Sequence, residues 1–439
     1  MSFNIKKVGV LGTGVMGAQI AAHLSNANIE VFAFDMDQET AKKGVDESVK
    51  LKPSPYYNHK SVSLIIPMNY SDNLDRLKEC DWIIEVISER LDWKQDLYKK
   101  IEPYISDNAI ITSNTSGISL SELSSGMSEK FLSSFFITHF FNPPRYMRLV
   151  EIIKSDKTNN QMVEFMCDFM ESTLGKGVVL AKDTPNFIAN RIGVYGMMVT
   201  LQEAMSKKMS IEDVDSLTGT LIGRPKSATF RTADVVGLDT MAFVANTAYT
   251  KCQDDNDREV FNIPNYIQKM LDNNWLGQKT KQGFYKKIDK GVIHSLDLTT
   301  LEYTPMNKKR YDAFALAKER TYLKDRLNVI VRSDDVAGEF LWNCFSRTLC
   351  YASDLVGEIA DDVVSIDNAM KWGFGWEYGP FEVLDAIGLE YFIDRLRKEN
   401  RPIPSFLLKI KDSELSSVYK WIDGDRYSFC LEENKYTKI

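Results

Sequence analysis

Through the first part of the chain, short apolar runs alternate with stretches whose apolar residues recur at helical spacing. Residues 7–11, "EVFAFD" (30–35), "DWIIEVI" (81–87), "NAIITSN" (108–114), "SFFITHFF" (134–141), "RLVEIIKS" (148–155) and "GVVLAKD" (177–183) read as strands. Residues 15–25, 38–50, "LDWKQDLYKKIEPYI" and "NNQMVEFMCDFMESTL" read as helices between them. Runs that are continuously apolar suit strands buried on both faces, and their alternation with helices predicts a mostly parallel sheet covered on both sides. This α/β pattern defines a first domain over residues 1–183.

After "KDTPNFIANRIG" strand patterns become rare and long-period helical spacing takes over. A mainly helical domain is expected over 184–299, then a joining segment over 300–334 and a second helical block over 335–399. The two blocks resemble each other. "FIANRI", "IEDVD" and "ADVVGLD" in the first answer to "FLWNCF", "SIDNA" and "LDAIGLE" in the second. Their offset of about 150 residues drifts by single positions, the mark of a duplicated unit. Residues 400–439 are polar and mixed, and read as a tail or as the start of a further region.

Composition narrows the function. A chain of 439 residues, 44% apolar and 26% charged, has the make-up of a globular protein with more than one core. No run reaches the roughly 18 apolar residues of a membrane span, and MSFNIKK runs straight into the first strand, so no signal peptide is expected. The net charge of -7 disfavours nucleic acid as a partner. Lys42, Lys43, Lys50 and Lys52 form a local basic patch, readable as a solvated helix face or as a grip on an anionic ligand. The six cysteines show no C-x-x-C spacing, which argues against a disulfide framework or a metal knuckle and for a reducing, cytoplasmic setting; no metal site is expected.

The stretch "KKVGVLGTGVMGAQIAAHL" carries Gly12, Gly14 and Gly17 between strand and helix. The first glycine permits the turn, the second lets a pyrophosphate approach the backbone, and the third lets helix and strand pack closely. Val15 and Met16 would pack the helix and touch the cofactor. Asp35 ends the next strand, where a carboxylate takes ribose hydroxyls and repels a 2'-phosphate, so NAD is expected rather than NADP. Asp37 is nearby, and either acid would serve as a helix cap.

Redox chemistry at a nicotinamide needs a group that takes a proton, and four histidines are available. His23 lies within the glycine-loop helix, His59 in a polar loop, and His294 in an irregular stretch. His139 closes a strand of the sheet, where ligand crevices form. Glu151 follows it across the Pro143-Pro144 pair, which forbids one continuous helix; a strand, a turn and a returning strand would set the two side by side. A carboxylate on one imidazole nitrogen fixes the tautomer and makes the other nitrogen the base.

"LGTGVMGAQIAAHL", "SNTSGIS", "THFFNPP", "LVEII" and "KDTPNFIANRI", in this order, resemble the L-3-hydroxyacyl-CoA dehydrogenase family. The resemblance implies a Rossmann-type domain followed by helical domains, and NAD-dependent oxidation of a 3-hydroxyacyl-CoA thioester in fatty-acid β-oxidation. It places the catalytic histidine on His139, its glutamate on Glu151, a substrate-contacting serine on Ser116 and an asparagine holding the reacting oxygen on Asn190. Glu89 and Lys94 match positions on the nicotinamide side of the cofactor. "KSATF" stands where many members have a glycine-proline-phenylalanine stretch. The second helical copy resembles the tandem domain of multifunctional fatty-acid oxidation proteins, which implies an enoyl-CoA hydratase domain on a longer parent chain. It also makes a monomer feasible through internal duplication, with a dimer equally open. Asn343 stands where the first copy has Asn190, but without a His–Glu pair the second copy reads as structural.

Two other functions stay open at this stage. A dehydrogenase of a small 3-hydroxyacid would rely on a lysine such as Lys182 or Lys208, and a non-catalytic NAD-binding scaffold would need no polar site at all.

Overall fold

A computed structural model describes residues 3–413 and 417–439. The chain forms two compact units, Met1–Phe187 and Ile188–Ile439. The first runs β1 (Lys7–Leu11), α1 (Val15–Asn26), β2 (Glu30–Asp35), α2 (Gln38–Lys50), β3 (Ile65–Asn69), β4 (Trp82–Glu85), α3 (Leu91–Ile101) and β5 (Ile110–Ser113). It continues with the short α4 (Leu120–Leu123) and α5 (Glu129–Ser134), then β6 (Phe135–Phe140), β7 (Leu149–Ile153), α6 (Asn160–Ser172) and β8 (Gly177–Ala181).

These eight strands make one sheet in the order β3-β2-β1-β4-β5-β6-β7-β8. The first six are mutually parallel, while β7 runs back along β6 and β8 follows β7. Strand order reverses between β1 and β4, so a crevice opens at the carboxyl ends of those strands, directly at the glycine loop. The central strands are buried along their whole length save Lys7 at the start of β1, as the apolar runs require. β3 has no strand signal in the sequence because Pro67 interrupts it. The structure places it at the sheet edge, where a proline's missing N–H costs no ladder bond.

The second unit begins with α7 (Ala189–Ser206), α8 (Ile211–Leu217), α9 (Phe230–Val236), α10 (Leu238–Lys251) and α11 (Asn265–Asp272). A small antiparallel sheet follows, of β9 (Tyr285–Asp289), β10 (Val292–Leu296) and β11 (Tyr303–Pro305). The segment read as a joining stretch is largely helical, with α12 (Asp312–Lys318) and α13 (Leu323–Val331). Leu323, Leu327, Ile330 and Val331 are buried at i, i+4, i+7 and i+8, so α13 lays a full apolar stripe into the helical core. Next come α14 (Val336–Asp354), α15 (Val363–Gly373), α16 (Pro380–Ile387), α17 (Leu389–Lys398) and α18 (Ser405–Lys411), then a second antiparallel sheet of β12 (Tyr419–Ile422), β13 (Asp425–Cys430) and β14 (Lys435–Lys438).

The same contacts recur in the residues read as a polar tail or further region, where the structure forms β12–β14. In the first copy Asp215 accepts the backbone N–H groups of Thr229 and Phe230 and the Tyr285 hydroxyl at 3.1, 2.7 and 2.8 Å. In the second, Asp367 accepts those of Phe381 and Glu382 and the Tyr419 hydroxyl at 2.8, 3.1 and 2.7 Å. Asp234 takes the N–H groups of Phe284 and Tyr285 as Asp385 takes those of Val418 and Tyr419. A guanidinium stacks on each of these tyrosines, Arg231 on Tyr285 and Arg426 on Tyr419. The terminal sheet looked polar because its strands are short and only partly buried. Each copy pins its small sheet to its helices with an equivalent pair of aspartates, one of the two buried.

Candidate active site

The glycine loop is shaped by close approach. Gly12 has φ +106°, outside the range of ordinary side chains, and a Cβ there would stand 2.8 Å from the Val86 carbonyl oxygen. A Cβ on Gly17 would run into the Gly12 carbonyl. Gly14 differs: nothing lies within 4 Å of the place its Cβ would occupy, so the backbone at the amino end of α1 lies open to a ligand. Val15 beside it is 68% exposed, whereas Met16 packs against the core. The Asp35 carboxylate accepts the Thr13 N–H at 2.8 Å and the Thr13 hydroxyl at 2.6 Å, and also the Met36 N–H at 2.8 Å. Asp37, not Asp35, caps α2 by accepting the Thr40 N–H. An open anion-binding helix end with a carboxylate tied to its loop fits the pyrophosphate and ribose of a dinucleotide.

Three strands away, the antiparallel return of β7 pairs His139 directly with Glu151 in the ladder. Their side chains meet: Nδ1 and Oε2 are 2.7 Å apart, with both residues buried. A charge-assisted bond of this length holds the imidazole in one orientation, with Nδ1 engaged by the carboxylate. Phe141 and Phe187 pack on the ring at centroid distances of 4.6 and 5.6 Å. Two residues that the sequence does not single out tie this strand end to its neighbours. The Asn114 side-chain oxygen accepts the Phe140 N–H at 2.8 Å, joining the turn after β5 to β6. Gln19 of α1 donates to Asn142 at 3.1 Å, joining the glycine-loop helix to the turn beyond His139.

Ser116 sits in the turn after β5. Glu89 holds that turn, accepting the Thr115 hydroxyl at 2.5 Å and the N–H groups of Ser116 and Gly117 at 2.8 and 3.2 Å. Lys94 is not at the surface of the cradle. It is buried, donates to Glu85 at 2.6 Å and lies 3.4 Å from Glu89. Its long stem carries the ammonium between two carboxylates, Glu85 and Glu89. Glu85 is another residue the sequence reading passed over. Its signal was present all the same: a lone carboxylate inside the apolar strand "DWIIEVI" has to find partners when buried.

The other histidines lie in different settings. His23 is buried in α1, with Nε2 3.2 Å from the Leu174 carbonyl, and burial followed by the Lys176 charge hold its pKa down to about 3. His59 is exposed, and His294 belongs to β10 rather than an irregular stretch. Asn190 is in the first turn of α7, in the second unit. Asn343 donates to Glu203 at 2.9 Å, a bond between the two helical copies. Lys208 is exposed at the end of α7. Among the described residues no cluster of His, Cys, Asp and Glu could hold a metal ion, and no helix is long and apolar enough to cross a membrane.

The family model for the 3-hydroxyacyl-CoA dehydrogenase NAD-binding domain matches residues 7–184, and the model for the same family's C-terminal domain matches 187–287 and again 340–402. The chain belongs to the 3-hydroxyacyl-CoA dehydrogenase family. A Deinococcus radiodurans protein named probable 3-hydroxyacyl-CoA dehydrogenase is 44% identical over 290 residues, covering 64% of this chain and 83% of its own length. A Bacillus subtilis (strain 168) protein of the same name is 46% identical over 459 residues. That match takes in all of this chain but only 58% of the Bacillus protein. A solved structure of 3-hydroxybutyryl-CoA dehydrogenase from Escherichia coli K12 shares the fold, with a TM-score of 0.68 at 20% identity over 92% of this chain and 98% of its own. Residues 7–184 are thus the family's NAD-binding domain, and NAD is its cofactor. The double match of the C-terminal model falls on the two copies seen in the second unit.

Proposed function

We propose that this chain oxidises L-3-hydroxyacyl-CoA thioesters to 3-ketoacyl-CoA thioesters, with His139 as the general base. The observation that carries this reading is the 2.7 Å His139–Glu151 contact, set on the sheet that bears the open glycine cradle. NAD, when bound, supplies the acceptor for the hydride leaving the substrate's carbinol carbon. His139 Nε2 takes the hydroxyl proton as the C–O bond becomes a carbonyl. Glu151 steadies the imidazolium that forms, and in the reverse direction His139 returns the proton. Asp35 and the amino end of α1 hold the dinucleotide. Ser116, on the turn fastened by Glu89, is assigned to the substrate, where a neutral hydroxyl orients the reacting oxygen without trapping it as an alkoxide.

The test is NADH formation with L-3-hydroxyacyl-CoAs of graded chain length, wild type against His139→Gln. Turnover of the thioesters that drops about 10²–10⁴-fold in the variant supports the assignment. Turnover of free 3-hydroxyacids with all thioesters inert would overturn the substrate class.

A further inference from the structure

Four residues beneath the Ser116 turn form a closed polar assembly that the proposed mechanism does not use. Glu85 is 1% exposed, and both of its oxygens are engaged. Oε1 accepts from Lys94 Nζ at 2.6 Å and from the Ile87 N–H at 2.7 Å. Oε2 accepts the hydroxyls of Tyr98 and Ser113 at 2.7 and 2.6 Å. Lys94, equally buried, lies 2.6 Å from Glu85 but 3.4 Å from Glu89. Glu89 is left with one oxygen on the hydroxyl and N–H groups of residues 115–117.

We infer that Glu85 is a positioning residue for the active site. By taking up the charge of Lys94 it leaves Glu89 free to hold the Ser116 turn. The reasoning is electrostatic. A buried ammonium must be balanced, and the attraction between charges rises steeply as water is excluded. With Glu85 present the ammonium is balanced from below, and Glu89 spends its hydrogen-bonding capacity on the turn. With Glu85 neutral, the only carboxylate left to Lys94 is Glu89. Closing that 3.4 Å gap draws the Glu89 carboxylate down and away from the N–H groups of Ser116 and Gly117. Tyr98 and Ser113 fix Glu85 in turn, so that the strand end, the helix α3 and the turn share one register.

This rests on the dehydrogenase reading for its activity readout, so the experiment carries a second readout that needs no turnover. In the full chain, Glu85→Gln, Glu89→Gln, their combination, and Glu85→Gln with Lys94→Met are compared. The measurements are kcat and KM for an L-3-hydroxyacyl-CoA, deuterium exchange of the peptide spanning residues 114–119, and the melting temperature. Glu85→Gln is expected to lower kcat/KM about tenfold or more and to speed exchange of that peptide. In the Glu89→Gln background the same substitution should change either quantity less than twofold, because the hold through which it acts is already gone. Removing the ammonium as well, in Glu85→Gln/Lys94→Met, should recover most of the lost exchange protection of residues 114–119 in the cofactor-free protein. An equal factor in both backgrounds, or no recovery of exchange protection in the charge-balanced double variant, overturns the inference even if the protein melts normally. If wild type oxidises no thioester, the dehydrogenase reading fails, and the exchange pattern alone decides for or against Glu85.

Discussion

His139 on β6 and Glu151 on β7 are directly opposed in one antiparallel pair, with Nδ1 and Oε2 2.7 Å apart in a buried setting. Everything else in the sheet is parallel up to β6, and the single reversal is what brings this carboxylate to this imidazole. Glu151→Gln keeps the shape and a hydrogen-bond acceptor but loses the charge that favours the imidazolium. We expect kcat to fall about 10–100-fold, with KM for the acyl-CoA within about threefold of wild type, because the lost interaction belongs to the transition state. A rise in KM at unchanged kcat would instead mark Glu151 as a substrate-binding residue.

Asp35 accepts from Thr13 in the glycine loop, and in the proposed function the same carboxylate takes the ribose hydroxyls of NAD. Asp35→Ala should raise KM for NAD by roughly ten- to a hundredfold, the worth of a hydrogen bond to a charged group. The maximal rate at saturating NAD should change little. Asp35→Ser should narrow the preference for NAD over NADP, because it removes the charge that repels a 2'-phosphate. Steady-state kinetics with both cofactors checks this, and an unchanged NAD/NADP ratio would refute the role.

Much of the first unit was legible in the sequence because its strands are buried on both faces and their apolar runs are unbroken. The His139–Glu151 pairing was legible for a simple reason: two prolines between two apolar runs force a return. β3 was not legible, since Pro67 mimics a strand breaker and only the edge position explains its tolerance. The final sheet was missed because short half-exposed strands such as "YKWI" show little alternation, and the evidence for it lies in Asp385 bonding to Val418 and Tyr419 far along the chain. Lys94 is set on the cofactor side by resemblance alone, and nothing in the sequence shows that it is buried. Its burial depends on Glu85, a tertiary partner that spacing cannot reveal.

His23 makes a pH prediction with a definite sign. Its folded pKa is held down to about 3 by burial and by Lys176, below the ordinary value of 6.5. Between those values the unfolded chain binds the extra proton, so the stability this histidine permits is intact above about pH 6.5 and declines as the solution is acidified. At about pH 5 the loss amounts to about 2 kcal/mol. His23→Gln retains a donor for the Leu174 carbonyl and cannot titrate. Its denaturant midpoint should fall less than that of wild type between about pH 7 and pH 5. Parallel declines in the two proteins would show that other groups govern the acid limb.

The last prediction concerns the duplicated unit. Arg191 of α7 is 1% exposed, donating through Nε to the Tyr351 hydroxyl at 2.7 Å and through Nη2 to Asp255 at 2.6 Å and Glu358 at 3.1 Å. Tyr351, from α14, stacks on Tyr195 at 3.9 Å and itself donates to Asp255 at 2.6 Å. The side chains of both copies thus converge on one carboxylate. Arg191→Met leaves that carboxylate buried without its cation, which typically costs about 3–5 kcal/mol. Asp255→Asn should cost less, since the amide oxygen still accepts a bond and the guanidinium keeps a second carboxylate, Glu358 at 3.1 Å. Combining the two should cost clearly less than their sum, because the second substitution removes the charge that the first exposes. Thermal melts of the four proteins at fixed pH test this. Strict additivity would show that the guanidinium and the carboxylate are stabilised independently, and that the bond between the copies lies elsewhere in the α7–α14 contact.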